Sequence, residues 1–547
     1  MPEQTLAGNP FTTTSSADQP IARGSAQLTA FVGRTLRGPM HQPIVVRSFA
    51  DFQQHFGGLW QPSPLSYAVE HFFEQGGRQA VIVRVANGAA PATISLKCGR
   101  ETLRLEARAP GTREFLRASI DYDNVESGDD QRFNLVIQRV RSPGSERVEA
   151  QETFRNLSVD PESSRFVTLA LLESTLMRVR GEVPAIRPDR TLMAGTQLPV
   201  GYMSSNPDGD DGKPITDYDV IGSATRHSGL FALEPVEELA FVYVPPLARN
   251  SDVGISALLV AARFCRDKRA MLIVDPPVSW ESTTEALRAI KALDFRSDNA
   301  LMFFPRIVAM DRLRGRTEMF GNGGAVAGLL SRSGEAVAAA VTEREPEPLL
   351  RSSAKLAREV SNSDRWSLAA QGVNVLQAVR NPDREWPALR TLACGASASS
   401  DWSYLAQRRF ALFTINSIER GTRWCAGLPN APHQWMRLAR QISTFLSELR
   451  SAGAFASVPA DQAFLVICDE RINDGESDGI NILVQFAATH AGEYHSFMLT
   501  HRPSGSTVRP VMVNRFEATL VVSRELEQEI TMRIAPREDY ISAVALN

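Results

Sequence analysis

The sequence is poor in lysine, in cysteine and in long apolar runs, and each scarcity argues against a class of protein. Five of the 59 basic residues are lysine and the formal net charge is -3, so no overall basic field attracts nucleic acid or an anionic membrane. The five cysteines form no CxxC pair, which argues against a disulfide framework and a zinc site. No apolar run approaches the roughly 20 residues that span a bilayer, and the first residues lack the pattern of a signal peptide. Proteins are therefore the expected partners.

Length and composition bound the class of protein further. At 547 residues the chain exceeds the roughly 250 to 300 residues at which single cores stop growing, so about three or four domains are expected. Its 43% apolar and 22% charged residues are typical of a folded globular protein. The excess of arginine over lysine has two open interpretations: bidentate contacts with carboxylates between subunits, or the base composition of the gene.

Changes in the hydrophobic pattern divide the chain into segments. The first is rich in Thr, Ser, Pro and Gly, so it cannot bury enough surface to fold alone. Later segments alternate between strand, helix and turn signals, and two strand–helix–strand crossovers over 239–304 indicate a parallel sheet. The predicted segments are an extended amino-terminal arm at 1–27, a strand–helix–strand unit at 28–86, a β-rich insertion at 87–200, an α/β domain at 201–371, a segment of helices and strands at 372–502, and a carboxyl-terminal arm or extension at 503–547.

The most regular helix signal in the chain extends from about His433 to Ser451. Large apolar residues repeat there at helical spacing, and Gly453 supplies the stop signal. Three arginines fall outside the apolar stripe: Arg437, Arg440 and Arg450. These arginines either face an acidic partner surface or belong to a solvated helix face.

Spaced apolar residues occur in both terminal segments. They are Leu6, Phe11 and Ile21 in the first segment and Val508, Val511 and Val513 in the last. In the stretch TVRPVMVNRF the valines alternate with polar or turn-forming neighbours, as in a half-buried strand. We predict that both segments are inter-subunit arms that pair with an edge strand of a neighbouring subunit. The alternative for the first segment is a disordered tail without a role.

Three features resemble chemical sites but lack the required context. Asp275 follows a predicted buried strand, where an α/β fold often places a nucleotide or metal carboxylate, yet the chain has no phosphate-binding loop motif. The glycine-rich run 321–328 follows a charged, irregular segment and is interpreted as a flexible turn into a helix. The tightest group of histidines is His490, His495 and His501. Their spacing is not that of a helical metal pair, so we predict no catalytic, cofactor or metal site.

Two stretches together resemble contractile tail sheath proteins of phages and phage-like injection systems. The first is FVGRTLRGPMHQPIVVRSFADFQQHFGG followed by LSYAVEHFFEQGGRQAVIVRV. The second extends from QGVNVLQAVRNPDREW through ACGASASSDWSYLAQRRFALFTINSIERGTRW and the helix at His433 to AFLVICDE. The sequence departs from the family at Gly395-Ala396-Ser397, where sheaths often have Arg-Thr after the glycine, and at Gly492-Glu493-Tyr494.

The resemblance implies a multidomain fold of α/β and α+β type. Segments 28–86 and 372–502 would form one discontinuous inner α+β domain next to a tube, with the β-rich and α/β parts inserted between them. The implied function is that of a structural sheath subunit, not an enzyme, that polymerises helically and contracts to drive the tube through a target envelope. The three arginines of the helix would then be possible tube-facing residues.

The resemblance also implies the partners and the location. The partners would be further copies of the chain in stacked rings, the inner tail tube protein, and the baseplate and tail terminator proteins. Nucleic acid and direct membrane insertion are not expected. The subunit would assemble in the bacterial cytoplasm and become part of a virion tail or a contractile injection particle.

Two other functions stay open at this level. The α/β segment at 239–304 is compatible with a nucleotide- or sugar-processing enzyme. The β-rich segment is compatible with a tail fibre or adhesin, although repeats and stalk patterns typical of fibres are missing from the sequence.

Overall fold

The structure of the chain is a computed structural model. It describes residues 19–22, 28–126, 128–193, 201–293, 295–332, 348–351, 354–379, 385–394, 402–455, 458–473, 478–487 and 494–511. The chain divides into two compact units. The larger contains residues 28–332 and 348–386, and the smaller contains residues 1–27, 333–347 and 387–547.

Strands and helices alternate at the start of the larger unit. The elements are β1 (Leu28–Gly33), β2 (Ile44–Val46), α1 (Phe49–Phe56), α2 (Pro64–Glu74) and β3 (Ala80–Arg84). The Ser48 side chain caps α1 by accepting a hydrogen bond from the Asp51 N–H at 3.0 Å. The helix ends at Gly57, whose φ of 89° lies in the left-handed region that favours glycine. Ser63 caps α2 in the same way, so both helices begin at the cap signals present in the sequence.

Antiparallel strands occupy the next part of the larger unit. The elements are β4 (Thr93–Cys98), β5 (Glu101–Ala107), β6 (Leu116–Asp121), β7 (Arg132–Val140), β8 (Val148–Ser158), α3 (Val167–Ala170), β9 (Met177–Val179) and β10 (Met203–Ser204). Within the described ranges they form one sheet of order β4-β5-β9 and another of order β10-β6-β7-β8. Residues such as Ile94, Leu105 and Leu135 point into one core shared by both sheets.

Helical crossovers dominate the remainder of the larger unit. The elements are α4 (Asp217–Ile221), β11 (Gly222–Ser223), β12 (Ser228–Gly229), β13 (Leu239–Tyr243), α5 (Ile255–Lys268), β14 (Met271–Val274), α6 (Thr283–Ala292), β15 (Ala300–Phe304), β16 (Ile307–Asp311), β17 (Arg316–Phe320), α7 (Gly323–Arg332), β18 (Lys355–Leu356), α8 (Asn362–Ala369) and β19 (Val373–Val375). Strands β13, β14 and β15 pair in parallel, because each is joined to the next by a helix.

One sheet unites the first and third parts of this unit. Its order over the described residues is β19-β15-β14-β13-β1-β3-β2. Strand β1 lies in its interior, paired in parallel with β13 on one side, where Leu28 lies opposite Leu239, and with β3 on the other. All six residues of β1 are buried, as expected of a strand covered on both faces.

The pairing of β1 with β13 differs from the expected domain arrangement. Segment 28–86 was expected to fold with segment 372–502, but its strands share a sheet with residues 239–375. The strand Val373–Val375, placed by the sequence at the start of the second inner segment, also belongs to this sheet. The sequence of an apolar strand such as β1 does not indicate which distant strand it pairs with. That pairing determines the domain to which the strand belongs.

The smaller unit packs two helices on an antiparallel sheet. Its elements are α9 (Leu405–Thr422), α10 (Pro432–Ser451), β20 (Phe464–Ile467), β21 (Ile480–Ala487), β22 (Tyr494–Arg502) and β23 (Gly505–Pro510). Residues from both helices and from the sheet, among them Ile418, Leu446 and Phe486, form its core. The mixed α/β class expected from the sequence is confirmed. No helix in the described ranges is long and apolar enough to cross a membrane.

Candidate functional site

The helix predicted at His433 is α10, and its two faces differ sharply. Leu438, Ile442 and Leu449 lie fully buried on one face. On the other face Arg437 and Arg440 are exposed, and the Arg437 guanidinium lies 5.2 Å from the centre of the Trp424 ring. The helix therefore presents basic residues outside its apolar stripe, as the sequence predicted.

A shallow groove follows the exposed face of α10. It has a volume of about 630 Å³, and Arg440, Ser443, Thr444 and Ser447 lie along it. The serine and threonine side chains are small and allow another surface to approach the helix closely, while Glu448 also lines the groove beside Arg440. Arg450 is less suited to such a contact, since it is only half-exposed and its buried Nε has no hydrogen-bond partner in the structure.

Ile21, predicted to pack on a neighbouring subunit, packs in its own chain. Its side chain is 4% exposed and belongs to the core of the smaller unit. The approach is close, because a Cβ on Gly421 would lie 2.7 Å from Ile21 Cγ1. The Gln441 amide also donates a hydrogen bond to the Gln19 carbonyl at 2.7 Å. Leu6 and Phe11 lie outside the described residues.

The carboxyl-terminal arm residues differ from the expectation in a similar way. Strand β23 pairs with β22 of the same chain, with Val508 opposite Leu499. Val511 is buried against Ile467 and Leu483. A two-residue turn at Pro503 and Ser504 joins β22 to β23, and this hairpin gives the segment a partner inside its own chain. Val513 lies outside the described residues.

The sheet of the smaller unit ends in two outer strands. Over the described residues its order is β20-β21-β22-β23, so β20 and β23 each pair on one side there. The other edge of each strand carries backbone groups that a further strand can bind. Within the described residues of this unit, these two edges are places where a further strand could add to the sheet.

Asp275 is a structural residue that holds the start of a helix. One carboxylate oxygen accepts the Gly323 N–H at 2.8 Å and the other accepts the Tyr243 hydroxyl at 2.5 Å. Burial raises the pKa of Asp275, while the charge of nearby Arg306 opposes the shift. Both oxygens are thus engaged inside the fold, which argues against a nucleotide or metal role.

The glycine-rich run serves close packing of helices. Helix α7 begins at Gly323, and a Cβ on Gly324 would lie 2.2 Å from the Ala68 carbonyl oxygen of α2. Gly328 approaches the Phe72 carbonyl oxygen in the same way, at 2.3 Å. The helix after the turn was predicted, but the reason for its glycines is contact with α2.

Two of the grouped histidines have structural partners. His501 is buried, with its ring nitrogens 2.8 Å from Thr422 Oγ1 and 2.7 Å from Ser506 Oγ, and burial lowers its pKa to about 4. The His495 ring stacks on Trp402 at 3.9 Å. His490 lies outside the described residues. In the part of the chain that the structure describes, no group of three or more His, Cys, Asp or Glu side chains is placed to hold a metal.

Sequence reasoning missed an ion-pair network in the larger unit. Arg249 binds Asp311 at 2.5 Å and also pairs with Glu318, while the Tyr67 hydroxyl contacts Asp311 at 3.1 Å. The guanidinium lies 4.9 Å from the Phe320 ring. These residues come from distant points of the sequence, so no local pattern marks them. The network ties the loop after β13 to α2 and to the hairpin of β16 and β17.

Two solved structures resemble the chain over most of its length. The sheath tail protein from Listeria innocua matches with a TM-score of 0.58 at 12% identity, over 88% of this chain and 96% of that one. The sheath tail protein from Desulfitobacterium hafniense matches with a TM-score of 0.50 at 13% identity, over 90% of this chain and 99% of that one. The sequence matches no family model and no curated protein. The chain therefore has the fold of tail sheath proteins, and the resemblance seen in its motifs is confirmed at the level of the fold.

Proposed function

We propose that the chain is the structural subunit of a contractile tail sheath, which polymerises helically around an inner tube and contracts to drive that tube through a target envelope. The observation that carries the proposal is the match of nearly the whole chain to two sheath tail proteins, which are themselves covered almost completely. The engaged carboxylate of Asp275 removes the main support for an enzyme. The subunit thus acts by assembly and movement.

The partners follow from this role. The chain binds further copies of itself in the sheath wall, the inner tail tube protein along the sheath axis, and baseplate and terminator proteins at the two ends. It assembles in the bacterial cytoplasm as part of a virion tail or a contractile injection particle.

Strand exchange is the proposed link between subunits. Strands β20 and β23 have backbone edges that a further strand can pair with, and added strands bind mainly through main-chain hydrogen bonds. The candidate arms are residues 1–18, which include Leu6 and Phe11, and residues 512–547, which include Val513. Each link is weak alone, but its repetition through a lattice makes the polymer strong.

The exposed face of α10 is the proposed tube-facing surface. Arg437 and Arg440 are exposed there beside a groove of small residues. Cations on a rigid helix attract an acidic tube surface and orient the subunit on it.

Electron microscopy tests the function directly. The chain is produced together with a tail tube protein from the same source, and the purified material is viewed by negative stain. We expect hollow striated tubes wider than the bare tube, and bare tubes alone from the tube protein produced by itself. Discrete particles at every concentration, with the tubes left uncovered, would refute the proposal.

A further inference from the structure

An arginine-rich groove lies in the larger unit, between the α1 region and the β7–β8 hairpin. Its volume is about 990 Å³. The arginines that line it are Arg37, Arg113, Arg139, Arg141 and Arg147. Such a density of guanidinium groups in one concave surface is typical of a site for carboxylates or other anions.

Two of these arginines are neutralised inside the fold. Arg37 pairs with Glu149 at 2.9 Å, and Arg139 lies 3.9 Å from the same carboxylate. Glu114 is buried beside them, and the charges of Arg139 and Arg37 oppose the rise in its pKa that burial causes. These groups form the inner wall of the groove and have a structural role.

The other three arginines carry unbalanced charge. Arg113, Arg141 and Arg147 are exposed on the rim, and among the described residues no ion pair joins their side chains to a carboxylate. Trp60 and Phe115 also line the groove, and both are partly exposed. A polypeptide with both acidic and apolar side chains fits this surface better than a small inorganic anion.

An acidic surface of that kind lies at the other end of the same sheet, in the turn between β6 and β7. Asp123 and Glu126 are exposed and have no ion pair among the residues that the structure describes. The Asp130 side chain is 88% exposed and lies 3.7 Å from Arg187, a loose contact. Val125 adds partly exposed apolar surface beside these carboxylates. The Tyr122 ring there lies under the guanidinium groups of Arg187 and Arg190, at 3.8 Å and 4.7 Å.

The two surfaces cannot meet within one subunit. Leu116 pairs with Arg139 near the groove, and Asp121 pairs with Asn134 near the acidic turn. The intervening strand β7 has nine residues, and at about 3.3 Å per residue it separates the two surfaces by roughly 30 Å. A contact between unlike ends of two copies is heterologous, and heterologous contacts produce rings or open helical polymers.

We propose that the acidic turn at Asp123 and Glu126 of one copy docks in the arginine groove of the next copy. This inference rests on the proposed sheath function, which brings copies side by side, and it names a contact made by the β-rich part of the chain. Opposite charges at the two ends set the direction of association, since groove-to-groove and turn-to-turn contacts repel.

A charge-swap experiment tests the contact. The groove variant carries Arg141→Glu and Arg147→Glu, and the turn variant carries Asp123→Arg and Glu126→Arg. All four side chains are exposed, so both variants should keep the melting temperature of the wild type. Self-association is measured by sedimentation velocity at about 0.05 M and about 0.5 M salt, since screening at the higher concentration weakens exposed charge pairs.

We expect each variant alone to associate at least about tenfold more weakly than the wild type at low salt, because like charges then meet in the contact. An equimolar mixture should regain association, since each groove again meets a turn of opposite charge. The matched control carries Arg100→Glu and Arg104→Glu, which change the same charge on exposed residues of the same part of the chain, and it should associate as the wild type does.

The inference is overturned if the wild type shows no salt-dependent association, or if the mixture stays as dissociated as its components. It is also overturned if the groove variant associates normally but loses retention on a polyphosphate matrix, since the groove would then bind a different anion. Tube formation in the microscope is a separate observation. If the wild type forms tubes but the mixture of the two variants does not regain association, the result counts against this contact alone. If the mixture regains association but the wild type forms no tubes, the result counts against the sheath function alone.

Discussion

Individual arginines stabilise the interior of the subunit. Arg84 is 2% exposed and donates hydrogen bonds to the carbonyls of Gly38 at 2.6 Å and Pro110 at 2.7 Å, while burial lowers its pKa to about 10. Arg249 joins Asp311 in the network described above. A planar group with several donors can bind two segments at once, which a lysine ammonium does less well. Part of the arginine excess therefore has a structural use within the chain, beyond the two interpretations that the sequence left open.

A buried histidine predicts how stability depends on pH. His71 lies in the core of the larger unit, and burial lowers its pKa to about 4. The unfolded chain binds a proton at this residue more readily than the folded chain does between pH 6.5 and 4. Its contribution to stability is therefore complete above pH 6.5 and is lost as the pH falls towards 4, at about 1.4 kcal/mol per pH unit. His71→Leu should reduce the pH slope of the free energy of unfolding by about this amount.

Urea unfolding at about pH 7, 6 and 5 measures the slope for the wild type and the variant. The control is Val69→Ala in the same helix, a fully buried position. It should lower the free energy of unfolding by a similar amount at every pH, since valine does not titrate. An identical slope in the wild type and His71→Leu would contradict the assignment.

At the scale of the element, local signals predicted helices well. The sequence placed one helix from His433 to Ser451, and the structure has it at Pro432–Ser451. The caps at Ser48 and Ser63 are likewise local, since each serine accepts a hydrogen bond from an N–H three residues later. These signals succeed because capping and helical periodicity involve residues within a few positions of one another.

Pairing between strands was less predictable for a physical reason. Strand β1 lies beside β13, more than 200 residues later in the sequence, and nothing in LTAFVG distinguishes this neighbour from another apolar strand. The burial of Ile21 in its own chain was not predicted, because a lone apolar residue in a polar segment can pack equally well in the core of a neighbouring subunit or in the core of its own chain. The arginine groove was missed since its members come from separate segments.

The exposed face of α10 gives the element-scale prediction. Arg437→Glu with Arg440→Glu should weaken cosedimentation of the subunit with tail tubes by about tenfold at low salt, and less so at about 0.5 M salt, because exposed charges are screened there. Both side chains are exposed, so the subunit should keep its melting temperature.

The pair Arg100→Glu and Arg104→Glu serves as control for net charge and should cosediment as the wild type does. Cosedimentation of the α10 variant that equals the wild type at low salt would remove α10 as the tube-facing surface.

At the scale of the whole molecule, the proposed function gives the folded units and the terminal segments separate tasks. Among the described residues, Ile21 near one end of the chain is buried, and Val511 near the other end packs on Ile467 and Leu483. Each terminal segment therefore has an anchoring residue in its own subunit, next to residues that the proposal assigns to a neighbour. In the proposed lattice, such anchoring would fix where each arm leaves the subunit and would favour exchange between adjacent copies.

Deleting residues 1–18 separates folding from assembly. The deletion keeps Gln19 and Ile21, whose contacts with Gln441 and the core remain, so the truncated subunit should stay soluble and melt cooperatively near the wild-type temperature. It should form no tubes in the microscope, because the strand offered to the neighbour is gone. Ile21→Ala is the opposite case: it should cost about 1 to 4 kcal/mol of stability by leaving a cavity, while the arm remains available.

Tubes of normal length from the truncated chain would show that the first arm does not link subunits. A truncated chain that fails to fold would show that residues 1–18 belong to the subunit itself.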